Sequence, residues 1–215
     1  WDSAFAGWGF STFDIERAWQ ELESLFAGQW NNGMVPHILF RSNDPDYFPG
    51  PDVWGTEECG PISSSGISQP PVAATFVRAI WEKDKTIGNN RLKKIFPKLK
   101  AWHKWFMTWR LTDRNCIFIS HPWEAGRDNS PDWDNAMRAI NPVGVGEYTR
   151  RDTSHVDGSM RPTQEDYDRY LWLVQRGRKL KWDEELMSVN RPFEVADPTM
   201  TVSYTHLRAH ETSGY

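Results

Sequence analysis

A chain of 215 residues has room for one ordinary domain with a real core, and its net charge of −4 is spread over interspersed acids and bases. No basic stripe offers itself to a nucleic acid, and no charge block forms a tail. The mean hydropathy is −0.68, and no apolar run approaches the ~20 residues of a membrane span, which excludes a helical membrane protein.

Ile15, Ala18, Trp19, Leu22, Leu25 and Phe26 follow helical spacing, with Asp14 placed to cap the helix and Gly28 to stop it. From Gln29 to Gly66 the chain is rich in Pro, Gly, Asn, Ser and Asp and shows no long period, so a long loop is predicted. Pro70 and Pro71 open a second helix with Val72, Phe76, Val77, Ile80 and Trp81 on its apolar side. Leu92, Ile95, Phe96, Leu99, Trp102, Phe106 and Trp109 mark a third, which Pro97 either starts or kinks. Ile117–Ile119 is a short apolar piece, and a short helix is predicted over Trp133–Ile140. Val143–Met160 reads as a second irregular excursion. Thr163 then caps a helix carrying Tyr167, Tyr170, Leu171 and Val174, and a last helix is predicted over Trp182–Val189. Helices with one apolar face must pack on other helices, so the fold class is all-α, with the long loops gathered at one end.

Thirteen tryptophans stand out. About three quarters of them are expected to be helix-packing core, the usual fate of large aromatics. The others have a face for the C–H side of a pyranose and an indole N–H for a hydroxyl. Cys59 and Cys116 are far apart and form neither a disulfide framework nor a zinc motif. Free, buried thiols in a reducing, cytoplasmic setting are expected.

The densest chemistry lies in Trp123–Asp134, WEAGRDNSPDWD, with four acids, one Arg, one Asn and two Trp in twelve residues. Gly126 and Pro131 prevent a plain helix, so the segment must turn and present side chains. Glycosidic bond cleavage needs one carboxylic acid to protonate the leaving oxygen and a second carboxylate to activate water or attack carbon. Glu124, Asp128, Asp132 and Asp134 are the candidates for the acid. Asp128 is attractive because a small Gly126 precedes it and the amide of Asn129 follows. Equally, Asp128 could cap a helix or pair with Arg127, and the residues alone leave both readings open. His121, Glu124, Asp128 and His155 form a weak metal alternative, since His121 and Glu124 lie three apart with a proline between them. DNSPDWD lacks the order of a calcium loop. There is no GxSxG elbow, Gly-rich phosphate loop or GxGxxG, so a phosphoryl or nicotinamide enzyme is not expected; with the weak metal spacing, neither a cofactor nor a metal is expected.

These residues resemble glycoside hydrolase family 63, in its mannosylglycerate and glucosylglycerate hydrolase branch. WEAGRDNSPDWD resembles the acid-bearing signature. WDSAFAGWGF, GQWNNGMVPHILF, YFPGPDVW, ISQPPVAA and RRDTSHVDGSMRPTQEDYDRYLWLV resemble the other landmarks in order, over about residues 1–198. The resemblance implies an (α/α)6 toroid of the six-hairpin glycosidase type, about half of it present, with the site at the loop-bearing end. It implies an inverting hydrolase of a small α-glycoside, with a small-molecule carbohydrate as the substrate and no nucleic acid or membrane partner. Asp128 falls on the general acid. Trp1, Asp2, Tyr47, Gln69, Trp123 and Gly126 fall on residues that hold or shape the sugar site. Arg161 and Tyr167 fall on a clamp for the glycerate carboxylate, a role that suits an Arg fork. The family's general base is a Glu further downstream, so this chain is expected to lack it and to be inactive alone. A trehalase-like or oligosaccharide-processing α-glucosidase, and a non-catalytic carbohydrate-binding protein, are the rival readings. Residues 1–200 are expected to form a partial catalytic domain. Thr201–Thr212 resembles the translation of a sequencing adapter, so 201–215 is expected to have no native role, including its His206 and His210.

Overall fold

A computed structural model describes residues 1–42, 47–154 and 156–203. The principal layer is four helices: α1 (Asp2–Phe10), α2 (Ile15–Ala27), α4 (Ala73–Lys83) and α5 (Lys85–Trp109). The short α3 (Pro51–Trp54) precedes α4, and α6 (Asp134–Arg138), α7 (Gln164–Lys179) and α8 (Glu184–Val189) follow. Helix α1 packs on α2 and α4, α2 packs on α4 and α5, and α3 lies against α7.

The amphipathic elements form as their patterns dictate. In α2 the Asp14 carboxylate accepts from Arg17 N at 2.9 Å, and Ala18, Trp19, Leu22, Leu25 and Phe26 are buried. Thr163 caps α7 by accepting from Asp166 N at 3.1 Å. The prolines 70 and 71 stand ahead of α4, which starts at Ala73.

Three departures have physical causes. Helix α1 carries no amphipathic signal. It is held by small residues, Ala4 and Gly7, and a Cβ on Gly7 would sit 3.0 Å from the Ala18 carbonyl oxygen. Helix α5 starts at Lys85, because the Asp84 side chain accepts from Thr86 N and Ile87 N at 2.9 and 3.1 Å. It continues through Pro97, which lies on the exposed face where water can serve the carbonyl left without a donor. The last helix starts at Glu184 and not at Trp182. Trp182 has φ of +55° and turns its ring back over Gly66 and Gly177, where a Cβ would come within 2.2 and 2.3 Å of it. Asp183 then caps α8 by accepting from Leu186 N at 3.0 Å.

Seven tryptophans are buried in one continuous core, and Trp81, Trp109, Trp123 and Trp172 pack against it. The expectation of buried thiols is corrected: Cys59 and Cys116 are free but only partly buried. Ile117–Ile119 supplies a two-residue strand, β1 (Phe118–Ile119), antiparallel to β2 (Val195–Ala196). Thr201 accepts from Ile117 N at 3.0 Å. His155, His206 and His210 lie outside the described residues.

Candidate active site

A cavity of about 510 Å³ opens at the loop-bearing end. Its wall comes from the start of α1, residues 37–38 and 47–49, the end of α3, Gln69, the 123–129 loop, residues 151–152 and 161–162, and one face of α7. Asp2, Tyr47, Gln69, Trp123, Asp128, Arg161 and Tyr167 all line it. Trp1 and Gly126 do not. They pack on each other beside the wall, with the Trp1 ring 2.5 Å from where a Gly126 Cβ would stand. Gly126 also has φ of +69°, which a larger residue rarely adopts.

The 123–129 loop is built on His121, whose Nδ1 accepts from Trp123 N at 3.1 Å and whose Nε2 donates to the Tyr170 carbonyl at 3.1 Å. Those two bonds need the neutral ring, and burial holds its pKa down at about 3. With both nitrogens engaged, His121 is a structural residue. Among the described residues no cluster of His, Cys, Asp and Glu is arranged to hold a metal.

The four acids of the segment now separate. Asp132 and Asp134 are exposed. Glu124 is buried beneath the loop, where it accepts from Ser120 N at 2.6 Å, Ser120 Oγ at 3.0 Å and Ser68 N at 3.4 Å. Arg110 lies 3.7 Å from it and makes a two-pronged bond to Glu184 at 2.8 and 3.1 Å. Only Asp128 lines the cavity. Its backbone carbonyl accepts from Trp133 Nε1 at 3.1 Å and from the Tyr170 hydroxyl at 3.3 Å. The Arg127 pairing left open by the sequence is not made: Arg127 bonds Asp132 at 2.8 Å and the buried Asp197 at 2.6 Å. Nor does the Asp128 side chain cap a helix, since the caps here are Ser130 and His121.

Burial raises the Asp128 pKa above the carboxylate norm, the Arg161 charge opposes the rise, and the Asp2 charge adds to it. A carboxyl whose pKa is raised above the usual carboxylate range suits proton donation to a leaving group. Tyr47 is raised by burial and by Asp128, and Tyr167 is raised to about 12, chiefly by burial. Gln69 Nε2 donates to the Trp123 carbonyl at 3.1 Å, joining two parts of the wall. Trp123 packs between His121, at 4.5 Å between ring centroids, and Tyr170, at 5.5 Å.

The wall also holds residues not marked by the sequence: His37, Phe48, Trp54, Arg151, Asp152 and Tyr170. Tyr170 was within reach, because it stands three residues after Tyr167 on the same helical face. Asp152 sits in an aperiodic loop and had no signal. His37 Nδ1 bonds Ser65 Oγ at 2.6 Å, and burial followed by the neighbouring His121 lowers its pKa to about 3.

The family model for the mannosylglycerate hydrolase MGH1-like glycoside hydrolase domain matches residues 1–211. The chain belongs to this family. It is 46% identical over 200 residues to mannosylglycerate hydrolase MGH2 of Selaginella moellendorffii, covering 92% of this chain and 41% of that protein. It is 47% identical to a mannosylglycerate hydrolase of Thermus thermophilus and 38% identical to a glucosylglycerate hydrolase of Mycolicibacterium hassiacum. The crystal structure of a GH63 mannosylglycerate hydrolase from Thermus thermophilus in complex with Tris and D-glycerate matches with a TM-score of 0.85 and 42% identity, over 97% of this chain and 53% of that one. The same enzyme in complex with glucose matches with a TM-score of 0.82. The chain therefore spans about half the length of the relatives it matches. The all-α toroidal fold expected from the resemblance stands, with part of the toroid represented. Among the described residues no helix is long and apolar enough to cross a membrane.

Proposed function

We propose that this chain supplies the general acid and much of the substrate-binding wall of an inverting glycoside hydrolase. Its substrate would be a small α-glycoside of glycerate, such as mannosylglycerate or glucosylglycerate. The observation that carries this is that Asp128, alone of the four acids in its segment, lines the cavity, with its pKa raised by burial and with Arg161 on the same wall. In the reaction Asp128 gives its proton to the glycosidic oxygen as the bond to the anomeric carbon breaks. A second carboxylate takes a proton from the attacking water on the opposite face. Asp2, Tyr47, Gln69 and Trp123 hold the sugar, while Trp1 supports them through Gly126. Arg161 and Tyr167 take the glycerate carboxylate.

The base is proposed to come from outside the 215 residues. Of the other carboxylates on the wall, Asp152 is engaged by Arg150 and Arg161, and Asp2 is assigned to the sugar. Residues 201–215 have no part in this reading. A trehalase-like activity on neutral disaccharides would give Arg161 no ligand carboxylate to meet beyond its bond to Asp152, so Arg161 favours the glycerate reading.

The test is direct. The purified chain incubated with mannosylglycerate and glucosylglycerate is expected to bind without turnover, and steady hydrolysis would refute the missing base. In a polypeptide that also carries the base, a panel adding trehalose and kojibiose should favour the glycerates. Equal rates on trehalose would remove the glycerate assignment.

A further inference from the structure

The segment between α6 and the turn at Gly158–Met160 has no helix or strand among its described residues, yet it lies against both members of the proposed carboxylate clamp, Arg161 just beyond the turn and Tyr167 on α7. One ion pair reaches them. Arg150 addresses Asp152 with its Nε at 2.9 Å and its Nη2 at 2.6 Å, a side-on fork on a carboxylate. Both side chains are 11% exposed. Asp152 Oδ2 also accepts from Arg161 Nε at 3.1 Å. The remaining Nη1 of Arg150 donates to the Pro162 carbonyl at 2.8 Å, which pins the backbone next to Arg161. The same guanidinium lies 4.5 Å over the Tyr167 ring.

We propose that the Arg150–Asp152 pair is a positioning device for the aglycone end of the cavity, orienting Arg161 by its Nε and Tyr167 by its ring face toward a ligand carboxylate. The inference rests on the clamp role given to Arg161 and Tyr167 above. A guanidinium held at Nε keeps its two Nη groups as a parallel fork, the geometry that matches a carboxylate. Arg161 is otherwise a long side chain that is 35% exposed and would have to be ordered by the ligand itself. The first neighbour to hold Asp152 in its charged form is Arg150, and Arg161 adds to the effect.

The two effects of Asp152 have opposite signs. Its negative charge repels an incoming anion, whereas its hold on Arg161 prepares the fork. The proposal commits to the second as the larger. The experiment is a titration of the chain with D-glycerate, with glucose as a probe of the sugar end. Asp152→Asn should weaken D-glycerate binding about tenfold, the scale of one charge-assisted hydrogen bond, and leave glucose binding unchanged. Asp152→Glu should recover part of the loss. In an Arg161→Gln background, Asp152→Asn should have no further effect. Tighter or unchanged D-glycerate binding by Asp152→Asn, with Arg161→Gln weakening it, overturns the inference and spares the clamp. Equal losses of D-glycerate and glucose would show a merely structural role and overturn it too. If Arg161→Gln leaves D-glycerate binding intact, or the unaltered chain binds none, the clamp reading fails instead.

Discussion

The helical layer and the loop end of this molecule are stabilised in different ways. In α1, α2, α4 and α5, apolar side chains such as Trp19, Leu22, Ile80 and Trp102 are almost wholly buried, and packing predominates, although Trp102 Nε1 also donates to Ser68 Oγ at 2.9 Å. At the loop end, order comes from polar groups: His121 under Trp123, Glu124 between Ser68 and Ser120, Arg127 on Asp197, and Asp152 between two arginines. Packing of the first kind tolerates approximate fit, because apolar contacts are non-directional. A hydrogen-bonded scaffold fails when one partner is lost, since the remaining group is left buried and unsatisfied. Binding sites need direction, so the second kind surrounds the cavity.

That contrast can be broken most severely at the cavity itself. In a polypeptide that also carries the base, Asp128→Asn should lower kcat by about a thousandfold or more while the melting temperature hardly moves. Retained turnover would remove Asp128 as the acid. Next is Trp19→Ala in the layer, which should cost about 3–5 kcal/mol, read as a fall in the thermal midpoint of roughly 10 °C, with little change in the sugar preference of whatever remains folded. Glu124→Gln leaves Arg110 with one carboxylate fewer in a buried network and should cost about 3 kcal/mol, measured by chemical denaturation. Because Ser68 and Ser120 bracket the cavity wall, its ligand binding should weaken as well. Trp19→Ala at the same loss of stability should not match that weakening. Gly126→Ala should cost about 1–3 kcal/mol through the positive φ and the contact with Trp1.

The smallest effects concern the pH profile and sharpen the comparison further. As the proposed general acid Asp128 acts only while protonated, so activity is expected to fall as pH rises through its raised pKa. Arg161 lowers that pKa and Asp2 raises it. Arg161→Gln should therefore move the alkaline limb to higher pH, and Asp2→Asn should move it to lower pH. Rate profiles over pH check both signs, and a shared direction would show that Asp128 is not the group being followed.

The amount legible in advance differs between the same two regions. Helices α2 and α7 follow from apolar spacing and a capping residue, which are properties of short stretches of chain. Helix α1 escaped notice because its close approach to α2 depends on Ala4 and Gly7 being small, and smallness has no period. The loop residues of the wall divide in the same way. Asp2, Tyr47, Gln69, Trp123, Asp128, Arg161 and Tyr167 are named by resemblance to a family, and each lines the cavity. Asp152, His37 and Trp54 are not, since their partners, Arg161, Ser65 and Trp182, are supplied by folding.

By itself the sequence determined that this would be an all-α protein with long loops, rich in tryptophan, carrying a cluster of acids in one turning segment. Those are consequences of local spacing and composition. Only the tertiary structure decided which of the four acids does what. Glu124 is taken below the loop by Ser68, Ser120 and Arg110, Asp132 and Asp134 are left in solvent, and Asp128 is turned into a partly desolvated cavity opposite Arg161. A carboxyl acquires its acidity from its surroundings, and those surroundings come from residues 2, 47, 161 and 170, which only the fold brings beside it.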